Sequence, residues 1–212
     1  AEIAEIGAGD RVLDVACGTG VLARGALARV GAAGAVTGLD LNDDMLAVAR
    51  RLEPAVDWRR GDALDLPFTD GSFDAVVSQF ALMFFPDPTT ALHQMWRVLA
   101  PGGRLAVAVC GPILETTGYR RLANLLRQHA SEAAAAMVEG YFAMGDDTFL
   151  LRLSREAGIP DARILEREGW ARFASIDDLL RIEIKGSPMA ALVDAPAYER
   201  VQVAALEAMR EF

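Results

Sequence analysis

The sequence predicts an α/β fold in which a doubly wound, mostly parallel sheet is covered by helices on both faces. Three observations carry this reading. Short runs rich in β-branched residues alternate with helical stretches through residue 109. The later strands, Leu105 to Val109 above all, are continuously apolar, as a strand covered on both sides requires. The first strand, Arg11 to Val15, also runs directly into the glycine turn Ala16-Cys17-Gly18-Thr19-Gly20 and then a helix.

The elements follow in order. Val21 to Val30 reads as the first helix and Ala35 to Asp40 as the second strand. Asn42 is placed to cap a helix running to Arg51, because its side chain can accept from the free amides of the first turn. Val56 to Arg60 and Phe73 to Gln79 read as strands three and four. Thr89 to Leu99 reads as a helix stopped by Pro101-Gly102-Gly103, and Arg104 to Val109 as the fifth strand. Beyond it the alternation ends: helices are predicted over 119–140, 146–157, 177–185 and 197–212, with an edge strand at Trp170 to Phe173. One domain over 1–212 is expected, with a helical lid insertion at about 112–145.

Charge and composition narrow the function classes. The 212-residue chain is 52% apolar, enough for a substantial core, and carries a net charge of −9, which repels phosphate backbones. A nucleic-acid partner is therefore not expected. Cys17 and Cys110 are the only cysteines and have no histidine cluster beside them, so neither a disulfide framework nor a metal site is read, and a reducing cytoplasm fits. The longest apolar stretch, near Leu105 to Leu114, is too short to span a membrane.

Ligands of such sheets bind outside the carboxyl ends of the strands, where the winding reverses. Gly18 and Gly20 let the backbone there come close to a bound molecule. Asp40 closes the second strand twenty residues after Gly20, the spacing at which a carboxylate meets both hydroxyls of an adenosine ribose. On these residues the alternative for Asp40 is a role at the following helix start. Turn and acid together point to an adenosine-containing cofactor, without separating a nicotinamide dinucleotide from S-adenosylmethionine.

Five collinear segments go further: VLDVACGTG (12–20), GLDLNDDML (38–46), RGDALDLPF (60–68), SFDAVVSQFALMFFPD (72–87) and RVLAPGGRLAVAV (97–109). With them the chain resembles class I S-adenosylmethionine-dependent methyltransferases, particularly the group containing the ubiquinone and menaquinone biosynthesis enzymes. Ala16 departs from the glycine common there. The resemblance implies a Rossmann-like methyltransferase fold of seven strands, the last antiparallel. It implies that Asp14 helps hold the methionine ammonium and that the backbone of Ala16, Cys17 and Gly18 lines the methionine part. Asp40 would bind the ribose, Leu41 and Met45 would flank the adenine, and Asp62 with Ala63 would meet its edge. Gln79 and Phe80 would stand nearest the transferable methyl. On its own residues Met45 also reads as a core methionine and Asp62 as a turn acid.

The expected activity is in-line methyl transfer from S-adenosylmethionine to a small apolar or aromatic acceptor, in which alignment and dehydration do most of the work. Phe80, Met83, Phe84, Tyr119 and His129 are the expected acceptor residues. No catalytic residue stands out. His129 and Tyr119 are the candidate bases, and His93 reads as a packing histidine. A cofactor-binding regulator without transfer activity and an NAD-dependent oxidoreductase are the alternatives. Because the chain ends on a helical stretch, the final antiparallel strand is expected to be missing, leaving six strands and an edge open to a homodimer partner.

Overall fold

The computed structural model describes residues 3–210, which form two compact units. The first takes in the chain up to Val109 together with Asp147–Arg163. The second comprises Cys110–Asp146 and the chain from Ile164 on. The predicted 112–145 insertion lies inside this second unit, alongside the C-terminal helices.

The first unit is built on five parallel strands, β1 (Arg11–Val15), β2 (Ala35–Asp40), β3 (Asp57–Arg60), β4 (Phe73–Gln79) and β5 (Leu99–Ala108), in the order β3-β2-β1-β4-β5. The order reverses between β1 and β4, where Asp14 lies opposite Val77. Helices α1 (Val21–Val30), α2 (Asp43–Leu52) and α3 (Pro88–Arg97) connect the strands. Successive β1 side chains go to opposite faces: Val12 packs with Ala23, Ala26, Leu46 and Val77, whereas Leu13 and Val15 pack with Val76, Met95 and Leu153. Both faces are buried along β1, β2 and β4, whereas β5, expected above all to be covered on both sides, forms an edge of the sheet: Leu105, Ala106 and Val107 are only half-buried and Ala108 is exposed.

Capping fixes the helix starts. Asn42 accepts from the amides of Asp44 and Met45, as predicted, and Asp87 accepts from Thr90 ahead of Pro88. The predicted 89–99 helix ends at Arg97 instead, because Leu99 already pairs with Phe73 in β5. The Pro-Gly-Gly stop is absorbed into that strand as an irregularity with Gly102 at φ 77°.

In the second unit the predicted 119–140 helix is two helices, α4 (Thr117–His129) and α5 (Glu132–Gly140). Ser131 makes the break by accepting from the Ala134 amide at the new N-terminus. After α6 (Asp147–Glu156) of the first unit, residues 170–173 form no strand, correcting the predicted edge strand. Trp170 is 82% exposed there and pairs with no strand, and of this segment Phe173 packs on the helical core. Among the described residues no strand follows β5; the sheet has five strands, fewer than the six or seven expected. The predicted 177–185 helix becomes α7 (Ile176–Leu180) followed by a π-turn, Arg181–Lys185, and α8 (Ala195–Ala208) completes the unit. Residues 211–212 of the predicted last helix lie outside the described residues. No helix among the described residues is long and apolar enough to cross a membrane.

Candidate functional site

The carboxyl ends of β1, β2 and β4 converge on the glycine turn. Ala16 leaves β1 with φ 56°, a left-handed conformation that costs a residue with a Cβ about 1–2 kcal/mol. The Cys17 amide then donates to the Leu39 carbonyl at 3.0 Å, holding the turn against β2. Gly18, at φ 54°, donates its amide to Asp40 Oδ2 at 2.7 Å, and Asn42 donates to Asp40 Oδ1 at 2.8 Å. Asp40 thereby ties the turn to the start of α2. Each carboxylate oxygen keeps further lone-pair capacity for a ligand's hydroxyls.

The two glycines do different work. A Cβ on Gly18 would meet nothing, so the main chain there faces open space. A Cβ on Gly20 would overlap the Trp58 indole, and so would one on Gly38 of β2. Gly20 therefore makes room for a core tryptophan. Trp58, 8% exposed with its indole N–H bonded to the Glu53 carbonyl, is the residue that the sequence reading missed.

Asp14 lies one residue before the end of β1 and is 1% exposed, and its Oδ2 has no hydrogen-bond partner. Burial raises its pKa from 3.8 to about 7; the Ala23 amide opposes the shift and the charge of Asp40 adds to it. A buried carboxylate oxygen without a partner calls for a cation or donor from outside the chain. Burial also pushes the Cys17 thiol up, with Asp14 and Asp40 adding, so Cys17 is a packing residue and not a nucleophile.

The remaining expected residues surround these. Leu41 and Met45 are 62% and 42% exposed, which sets aside the core reading of Met45. Asp62 accepts from the Leu64 amide at 2.9 Å, shaping the turn after β3. Ala63 is buried in the core, so only its main chain is offered to a ligand, not its methyl. Gln79 is exposed at the end of β4. Phe80 follows it at φ 55° and is half exposed, an unusual conformation for an aromatic residue and of the kind that gathers at functional sites. Met83 is half-buried and Phe84 exposed in the next turn, and His93 contacts the Ala157 carbonyl as a packing residue.

Within the second unit, Tyr119 donates its hydroxyl to Glu183 Oε1 at 2.7 Å. Burial and Glu183 raise its pKa, which keeps it a protonated donor. His129 ends α4, its carbonyl accepting from Arg200. Ten residues of helix place it about 15 Å along the axis from Tyr119, so the two do not act on one atom.

A family model described as a methyltransferase domain matches residues 13–107, which span β1 to β5 and the turn just described. Among similar proteins, this chain is 49% identical over 105 residues to a 2-phytyl-1,4-naphtoquinone methyltransferase of Synechococcus elongatus, covering 47% of the chain and 45% of the relative. It is 39% identical over 109 residues to a demethylmenaquinone methyltransferase of Lactobacillus johnsonii, covering 49% and 45%. The chain thus spans somewhat under half the length of these curated relatives. Among solved structures, an arsenic (III) S-adenosylmethionine methyltransferase from Chlamydomonas reinhardtii matches 84% of the chain and 60% of its own, with a TM-score of 0.59 and 29% identity. A putative methyltransferase from Bacillus halodurans matches 74% and 65%, with 0.55 and 28%. The matched segment contains Asp14, the glycine turn, Asp40 and Phe80.

Proposed function

We propose that the protein transfers a methyl group from S-adenosylmethionine to a small, neutral aromatic acceptor of the quinol or phenol class. The observation that carries this is the buried, unpartnered Asp14 oxygen beside the open main chain of Gly18 and the carboxylate of Asp40. These residues fit the cofactor. Asp14 would receive its ammonium, Gly18 and the main chain of Ala16 and Cys17 would line the methionine part, and Asp40 would accept from the ribose hydroxyls. Leu41 and Met45 offer apolar surface to the adenine. When bound, the cofactor supplies a methyl group activated on a sulfonium.

The chain's own part is positioning and exclusion of water. Phe80 and Phe84 present apolar surface past the end of β4, where an aromatic ring can be held dry and aligned. The relatives named for naphthoquinone and demethylmenaquinone methylation support the acceptor class. A net charge of −9 disfavours nucleic acid, and two free cysteines fit a cytoplasmic setting. No observation favours the dinucleotide alternative.

Calorimetric titration with S-adenosylhomocysteine and with NAD tests the cofactor: the first binds and the second does not. Asp40→Ala should weaken S-adenosylhomocysteine by about 1–3 kcal/mol through loss of charge-assisted hydrogen bonds. An unchanged Kd would overturn the ribose assignment. Methyl-labelled cofactor offered to a panel of hydroquinones, phenols and amines tests the transfer, with label expected in the hydroxylated rings.

A further inference from the structure

The helical unit holds a second polar cluster that the cofactor reading does not use. Glu183 sits in the middle of the Arg181–Lys185 π-turn, a distortion that recurs at functional sites. The turn is held by the Gly186 amide donating to the Arg181 carbonyl at 3.0 Å and by Ser187 Oγ donating to the Glu183 carbonyl. Tyr119 from the first turn of α4 donates to Glu183 Oε1, and its ring packs on Phe142 with centroids 5.3 Å apart. Tyr141 and Cys110 lie close enough for the Glu183 charge to raise both their pKa values.

Glu183 is half-buried, and no cation compensates it among the described residues. The chain's single lysine, Lys185, places its ammonium over the Tyr198 ring, 3.9 Å from the centroid. Glu183 Oε2 accepts no hydrogen bond among the described residues, yet it is not sealed from solvent. The result is an oriented carboxylate with one oxygen fixed by a tyrosine and the other available, set among aromatic rings. Burial raises the Glu183 pKa, so its charged form gains from any added donor.

We propose that Glu183, oriented by Tyr119, is a binding site for the hydroxyl of an aromatic ligand, the ring resting against Tyr119 and Tyr141. The ligand class rests on the acceptor reading given above; the site itself rests on the Glu183 cluster. An O–H donated to Oε2 would complete the carboxylate without bringing in a charge.

The test compares 1,4-naphthohydroquinone, kept reduced under anaerobic conditions, with its dimethyl ether, which has the same ring but no donor. Calorimetric binding to the full chain saturated with S-adenosylhomocysteine should favour the hydroquinone at least tenfold. Glu183→Gln should bring that ratio to within about threefold, and Tyr119→Phe should reduce it while leaving the carboxylate in place. S-adenosylhomocysteine affinity should be unchanged in both variants. A merely structural role would weaken both ligands equally and preserve the ratio, which would overturn the site. It would also be overturned by equal binding of the two ligands to the unmodified chain, or by preferential binding of benzylamine, which would mark a cation site. If the cofactor analogue fails to bind, the same comparison made without it still decides the matter, and the failure then belongs to the cofactor reading alone.

Discussion

Replacing Asp14 with asparagine should stabilise the protein while weakening its hold on the cofactor. Folding raises the Asp14 pKa from 3.8 to about 7, and at about 1.4 kcal/mol per pH unit the buried charge costs about 4 kcal/mol above neutrality. The sign follows from proton binding. Between pH 4 and 7 the folded chain holds a proton that the unfolded chain has released, so stability falls as pH rises through this window and stays low above it. Asparagine is neutral throughout and removes that slope. Its amide hydrogens bring a desolvation cost of their own, about 1–3 kcal/mol where unpaired, which leaves a net gain of about 1–3 kcal/mol at pH 8. Urea denaturation of Asp14→Asn and the parent chain at pH 5, 6, 7 and 8 measures this directly. The stability difference should widen in favour of the variant up to about pH 7 and then level off. S-adenosylhomocysteine affinity at pH 8 should fall at least tenfold. A difference that stays flat across the series, or a variant less stable at pH 8, would refute the reasoning from burial.

Two further outcomes concern the turn's supports. Gly38→Ala should cost about 2–4 kcal/mol in chemical denaturation, since its methyl would overlap the Trp58 ring; Trp58→Leu in the same chain should lessen the penalty, a coupling that a double-mutant cycle reads. Ala16→Gly should raise stability by about 0.5–1 kcal/mol, the relief of the left-handed backbone exceeding glycine's extra entropy, as seen in the urea midpoint.

Much of the first unit could be read from the sequence because its signals are local. Asn42 caps α2 through its own side chain, and the apolar runs at Leu13 and Val76 need only the rule that a doubly covered strand shows no alternation. Asp14 and Asp40 lie at strand ends set by the same pattern. What stayed hidden depends on contacts distant in sequence. Nothing near Gly20 announces that its missing Cβ makes space for Trp58, 38 positions later, and nothing near Tyr119 announces Glu183, 64 positions away. The break at Ser131 was missed because an alanine-rich run favours continuous helix; the serine hydroxyl accepting from Ala134 decides otherwise. The Trp170 segment has an aromatic, strand-like composition, but strand formation needs a partner edge and a face to bury, and composition reports neither.

The indole wedged under Gly20 and Gly38 gives the protein an internal optical gauge. Trp96 and Trp170 are 40% and 82% exposed and should emit as solvated rings, whereas Trp58 is shielded and lies against Gly20 of the glycine turn. With the two outer tryptophans changed to phenylalanine, the blue-shifted emission left behind would register any repacking of the glycine turn in real time, with no label attached.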